Sequence, residues 1–143
     1  MQRFLTWTAA LTVVFAVGVA AQANLTLEDH AKIMKANAQA AGATNKAIGS
    51  GAAADAKAGI ATLRSNFTNL QAFYAAKKKD DAVAMIKAAL TNLDAADKAL
   101  SAATPDTMAA QAAMKMFQGS CGGCHKQYRD GDPQAGYKFK PDF

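Results

Sequence analysis

Ile60-Ala61-Thr62-Leu63-Arg64-Ser65-Asn66-Phe67-Thr68-Asn69-Leu70-Gln71-Ala72-Phe73-Tyr74 sets large apolar side chains at 60, 63, 67, 70 and 74, in steps that alternate between three and four. That period belongs to one face of an amphipathic helix. Working outward, the helix is expected from about Ala53 to Lys78. The next stretch repeats the pattern with Val83, Ile86, Leu90, Leu93 and Leu100, over about Asp80 to Ala102. Asp97 falls on that stripe, so Ala96 is expected to turn inward in its place. A third stripe joins Met114, Phe117, Cys121, Cys124 and Tyr128.

Before these lies a helix expected over Leu27 to Ile48, with Thr26 as N-cap and Asp29 completing a capping box. Gly49-Ser50-Gly51 stops it. The last helix is expected to start with Thr104 as N-cap and Pro105 at the first helical position, and to end near Asp130-Gly131. Four striped helices joined by short connections predict an all-α, up-down-up-down four-helix bundle. The tail from 131 to 143 is expected to be irregular, its aromatics folding back or hanging loose.

Arg3, the apolar run Phe4 to Val19 and the small residues Ala21-Gln22-Ala23 have the layout of a secretory signal peptide over residues 1–23. An uncleaved anchor is the rival, though the run is barely long enough. The bundle domain is then expected over 24–130, with export to the periplasm and no stable membrane insertion after cleavage. Without Arg3 the net charge is +4, and no arginine-rich stripe with interleaved aromatics points to nucleic acid.

Cys121-Gly122-Gly123-Cys124-His125 carries the chemistry. Two thiols three apart followed at once by histidine is the spacing at which c-type haem is attached. On a helix, Cys121 and Cys124 can each bond one vinyl edge of a porphyrin while His125 faces the iron. Gly122 and Gly123, costly inside a helix, are expected to let the ring lie close to bare backbone rather than to break the helix. An exported Cys-x-x-Cys would otherwise tend to close as a disulfide.

The topology puts the start of the first helix beside the end of the fourth. Met34 lies on the order of 10 Å into its helix and His125 on the order of 8 Å from the end of its own. The two fall at matching depth, which makes Met34 a candidate sixth iron ligand, against plain core packing. Leu27, His30, Met34 and Ala41 are expected to share the inward face. For His30, propionate contact or plain surface is preferred over ligation. Lys77, Lys78 and Lys79, with Lys126 and Arg129, are expected at the same end, either solvated or as a positive rim steering an acidic redox partner.

A helical chain with Cys-x-x-Cys-His near its C-terminus, followed by Lys126-Gln127-Tyr128-Arg129, resembles the cytochrome c′ and cytochrome c-556 family, the class II c-type cytochromes. The resemblance implies a periplasmic four-helix bundle with one covalent haem c. In c′ proteins the iron keeps only its histidine, behind an apolar residue of the first helix. In the c-556 type a first-helix methionine is the sixth ligand, and Ile33-Met34-Lys35-Ala36-Asn37 looks like the segment that holds it. The chain departs from the pattern at His30, where a basic residue is common, at the tight Lys77–Asp81 turn, and in the tail. Homodimers are frequent in the family and are one expectation here.

The function so implied is a monohaem cytochrome that carries single electrons, not an enzyme. The alternative is a five-coordinate protein binding nitric oxide or carbon monoxide. A haem-free thiol protein lacks the strand–helix–strand setting of thioredoxin-like motifs, and structural zinc lacks a fourth ligand near Cys121, Cys124 and His125.

Overall fold

The computed structural model describes residues 25–132, 136–141 and 143. The export segment expected over 1–23 lies outside the described residues. Four helices follow in order: α1 (Leu27–Gly49), α2 (Ala53–Ala76), α3 (Asp80–Leu100) and α4 (Thr107–Tyr128), then strands β1 (Arg129–Asp132) and β2 (Gly136–Phe139). The bundle is all-α as expected, with the added hairpin.

Helix starts follow local chemistry. At α1 the Thr26 hydroxyl accepts from the Asp29 N–H at 3.1 Å, and the Asp29 carboxylate accepts in return from the Thr26 N–H, also at 3.1 Å. The capping box is present as anticipated. At α4 the expected Thr104-Pro105 start is wrong by two residues, because Asp106 caps instead and accepts from the Ala109 N–H at 2.9 Å. A carboxylate is among the best N-caps, so the helix begins where the aspartate can serve it. The α2 helix stops at Ala76, short of Lys78, which sits at φ 57°. There the Lys79 N–H returns to the Tyr74 carbonyl at 3.0 Å, closing the C-terminus with a left-handed residue. The α3 helix likewise ends at Leu100 rather than Ala102.

Ile60, Leu63, Leu70, Phe73, Tyr74, Leu93, Met114 and Phe117 form the middle of the core, each almost fully covered. Ala96 is buried where Asp97 stays half-exposed, as the pattern required. Neighbouring helices pack along three full seams, α1–α2, α2–α3 and α3–α4, while the α1–α4 seam is the loosest. Leu27, expected inward, is 55% exposed. No described helix is long and apolar enough to cross a membrane.

The tail is not irregular throughout. Arg129–Asp132 and Gly136–Phe139 pair antiparallel, Arg129 opposite Phe139 and Asp132 opposite Gly136. Gly131 and Gly136 take positive φ, 84° and 80°, which the turn requires and glycine supplies cheaply. Lys140 fastens the hairpin to α4, its N–H to the Tyr128 carbonyl at 3.0 Å and its Nζ to the Lys126 carbonyl at 2.9 Å.

At Gly59 α2 approaches α1 so closely that an added Cβ would lie 2.2 Å from the Thr44 Oγ1 and 3.3 Å from its Cβ. Thr44 is buried and β-branched, so its hydroxyl has few places to go. Gly59→Ala should therefore cost about 1–3 kcal/mol in urea unfolding; an unchanged midpoint would mean that the two helices slide apart freely.

Candidate functional site

Because the α1–α4 seam is loose, two adjoining cavities open along it. One, of about 330 Å³, runs into the bundle and is lined by Met34, Asn37, Phe67, Phe117, Cys121 and His125 among others. The second, of about 810 Å³, continues toward the hairpin and is lined by His30, Met34, Lys35, His125, Arg129 and Lys138 among others. Met34, Ala38, Tyr74, Cys124 and His125 border both. Volumes of this order match small-molecule and cofactor sites. The structure thus brings Met34 of α1 to the same space as the Cys121, Cys124 and His125 face of α4.

Both cysteines are free thiols, half-buried, on an unbroken helix. The Cys121 thiol donates to the Phe117 carbonyl at 3.5 Å. Burial pushes the Cys121 thiol up, and pushes Cys124 up to about 11, with the Cys121 and Asp81 charges adding to it. At neutral pH both stay protonated. Thiol–disulfide chemistry runs through the thiolate, so these sulfurs are poorly set for a thioredoxin-like role. His125 is held below the ordinary histidine range, first by burial and then by the Arg129 charge. Its imidazole is neutral at pH 7, the form that ligates a metal. Among the described residues no three His, Cys, Asp or Glu side chains gather where a metal ion could sit.

The two glycines of the motif do not serve as expected. The helix does not break at them, yet neither lines a cavity, both are exposed, and an added Cβ at either meets nothing within 4 Å. Close approach of a ring to this backbone finds no support, since the thiols face the cavities and the glycines face away.

His30 is buried on the inward face of α1, which removes its plain-surface reading, and its Nε2 shares a hydrogen bond with the Tyr74 hydroxyl at 3.1 Å. Its ring lies 4.7 Å from Phe139 and 5.2 Å from Phe73, centroid to centroid. Burial, and then the His125 charge, lower its pKa to about 4. Burial, and then the nearby Cys124 and Tyr128, push the Tyr74 hydroxyl up. Phe143 stacks on Phe139 at 3.7 Å and completes an aromatic cap with Phe73, Tyr74 and Tyr128. Tyr128 is tied to Asp81 at the start of α3. Lys77 and Lys79 lie over this cap, with Nζ 5.3 and 5.6 Å from the Phe143 ring.

Sequence reasoning missed Asn37, Tyr74 and the hairpin's side of the site. The Asn37 Oδ1 accepts from the Asn66 amide at 2.8 Å, while its own buried Nδ2 has no partner among the described residues. A polar residue on the inward face of α1 was the available signal.

Neither a family model, nor a curated protein, nor a solved structure matches this chain. The functional reading rests on its own residues.

Two outcomes follow from the site. Gly122→Ala and Gly123→Ala should each raise stability by about 0.5–1 kcal/mol in denaturant unfolding, and a loss would mean that something packs against that backbone. Since the unfolded chain takes up a proton near pH 6.5 that folded His30 refuses until about pH 4, stability is full above that window and falls as pH drops through it. His125 acts in the same direction. The His30→Gln variant should show a flatter decline between pH 7 and 4; equal slopes would mean that His30 is charged in the fold.

Proposed function

We propose that this protein is an exported, monohaem c-type cytochrome of the class II kind that carries single electrons. The observation that carries this reading is that Met34, Cys121, Cys124 and His125 border one continuous pair of cavities, with free thiols three apart on one helix face. The site suits the group in size, in apolar walls and in donor set. Haem c, when bound, supplies an iron that cycles between two oxidation states and so holds or releases one electron.

The chain's own residues do the rest. Cys121 and Cys124 would hold the ring on α4, and His125 would present a neutral imidazole from the next position. Met34 offers a thioether from the opposite wall, and methionine–histidine ligation raises the potential. Phe67, Phe117 and Ile86 give the inner edge apolar walls. The outer cavity lies toward the surface and leaves an edge open to a redox partner. An acidic partner would suit the exposed cations Lys77, Lys78 and Lys126 expected at the same end of the bundle.

An optical spectrum of the haem-loaded protein tests the assignment. A low-spin spectrum unmoved by carbon monoxide is expected, and Met34→Ala should convert it to a high-spin form that binds the gas. A wild-type protein already high-spin and gas-reactive would transfer the reading to nitric oxide or carbon monoxide binding. A spectrum identical in Met34→Ala would remove Met34 from the iron.

A further inference from the structure

The two cavities differ in charge. The inner one is lined by Asn37, Phe67, Leu70, Ile86 and Phe117, with no lysine, arginine or carboxylate among its walls. The outer one carries Lys35 from α1 and Arg129 and Lys138 from the hairpin, with Glu28 as its one acid. Glu28 is engaged by Lys32 at 2.8 Å. None of Lys35, Arg129 and Lys138 has an ion pair among the described residues.

His30, although it lines the same cavity, brings no positive charge to an anion there at neutral pH. Its ring is covered by Phe139, its Nε2 is engaged with Tyr74, and it stays neutral above about pH 4. Any negative charge in this cavity must find its counter-charge elsewhere. Arg129 is well prepared, because its guanidinium carbon lies over the Tyr137 ring, 3.8 Å from the centroid. Stacking of this kind fixes the plane and leaves the N–H edges free for a carboxylate. Lys138 also lines this cavity, although its register partner is Asp130 and strand alternation sets it on the face of the hairpin opposite Arg129 and Phe139.

We infer that Arg129 and Lys138, with Lys35 opposite, seat the two carboxylates of the bound porphyrin, so that its propionate edge points to the hairpin and its hydrocarbon edge to Phe67 and Phe117. This rests on the haem reading above. The opposite orientation would push two carboxylates into the inner cavity, whose lining offers them amides such as Asn37 and Gln118 but no cationic side chain of lysine or arginine. Burying a carboxylate without a paired charge is expensive, so the cations favour the same orientation that attachment through Cys121 and Cys124 would impose. The hairpin is thereby a wall of the site rather than an appendage.

Resonance Raman spectroscopy of the haem-loaded protein tests this, since the propionate bending band reports hydrogen bonding to the carboxylates at either spin state. Lys138→Gln and Arg129→Gln should each shift that band to lower frequency, and the double variant should shift it further. Lys35→Gln gives an independent variant from the opposite wall. Lys115→Gln, on the exposed face of α4 away from both cavities, should leave the band in place. Unmoved bands in a haem-loaded Lys138→Gln and Arg129→Gln pair overturn the seat alone. A parent chain that takes up no haem overturns the seat and the proposed function together.

Discussion

A four-helix bundle excludes water only where all four seams are filled, and α1 lacks the side chains to fill its seam with α4. Its inward residues over the first four turns are His30, Met34, Asn37 and Ala41, and two of these are polar. The α2 helix presents Ile60, Leu63, Phe67, Leu70, Phe73 and Tyr74 over a comparable length. Close packing elsewhere, of the density that protein interiors demand, therefore leaves a trench on one side. Everything about the site follows from that shortage of volume. The motif of α4 faces the trench because its cysteines continue the stripe of Met114 and Phe117, and Met34 faces it from across the gap.

The parts of this fold that were legible in the sequence are those ruled by local period and local capping. Stripes at 60–74 and 83–100 gave helices and inward faces, including the exchange of Ala96 for Asp97, because a helix face admits no other solution. The Thr26–Asp29 box was legible for the same reason, since both partners lie within four residues. The start of α4 was misjudged because two caps competed, and a proline that suits a first turn does not outweigh a carboxylate one residue later. The hairpin was missed because its strands are four residues each and mostly exposed, so they carry no alternating pattern. Their register depends on two glycines at positive φ and on an aromatic cap assembled from α2, α4 and the tail, which is a tertiary fact. The inward face of α1 placed His30 by period, but not what covers it. Phe139 lies more than a hundred residues away in sequence, and its contact with the His30 ring is a tertiary fact.

The motif itself shows how far a spacing argument extends. Three residues apart on a helix put both sulfurs on one face, and that much was fixed by geometry. Which way that face points depends on the neighbouring stripe, and the glycines then necessarily face solvent. Their backbone is bare where nothing in the fold needs it to be. Sequence reasoning assigned them to the ring because it weighed the residue type without the rotation of the helix.

Burial at this site also separates the rival chemistries. A Cys-x-x-Cys pair used for exchange needs a sulfur that is exposed and readily ionised, held low by a helix N-terminus or a nearby cation. Here the pair lies in the last turns of α4, where the helix dipole disfavours negative charge, and Cys124 is pushed up to about 11. The same surroundings favour an uncharged sulfur, which is what a thioether is. They also favour a neutral His125. Burial along a largely apolar trench penalises the thiolate and spares the thioether, and together with the Arg129 charge it keeps the imidazole unprotonated although the helix C-terminus itself favours a cation.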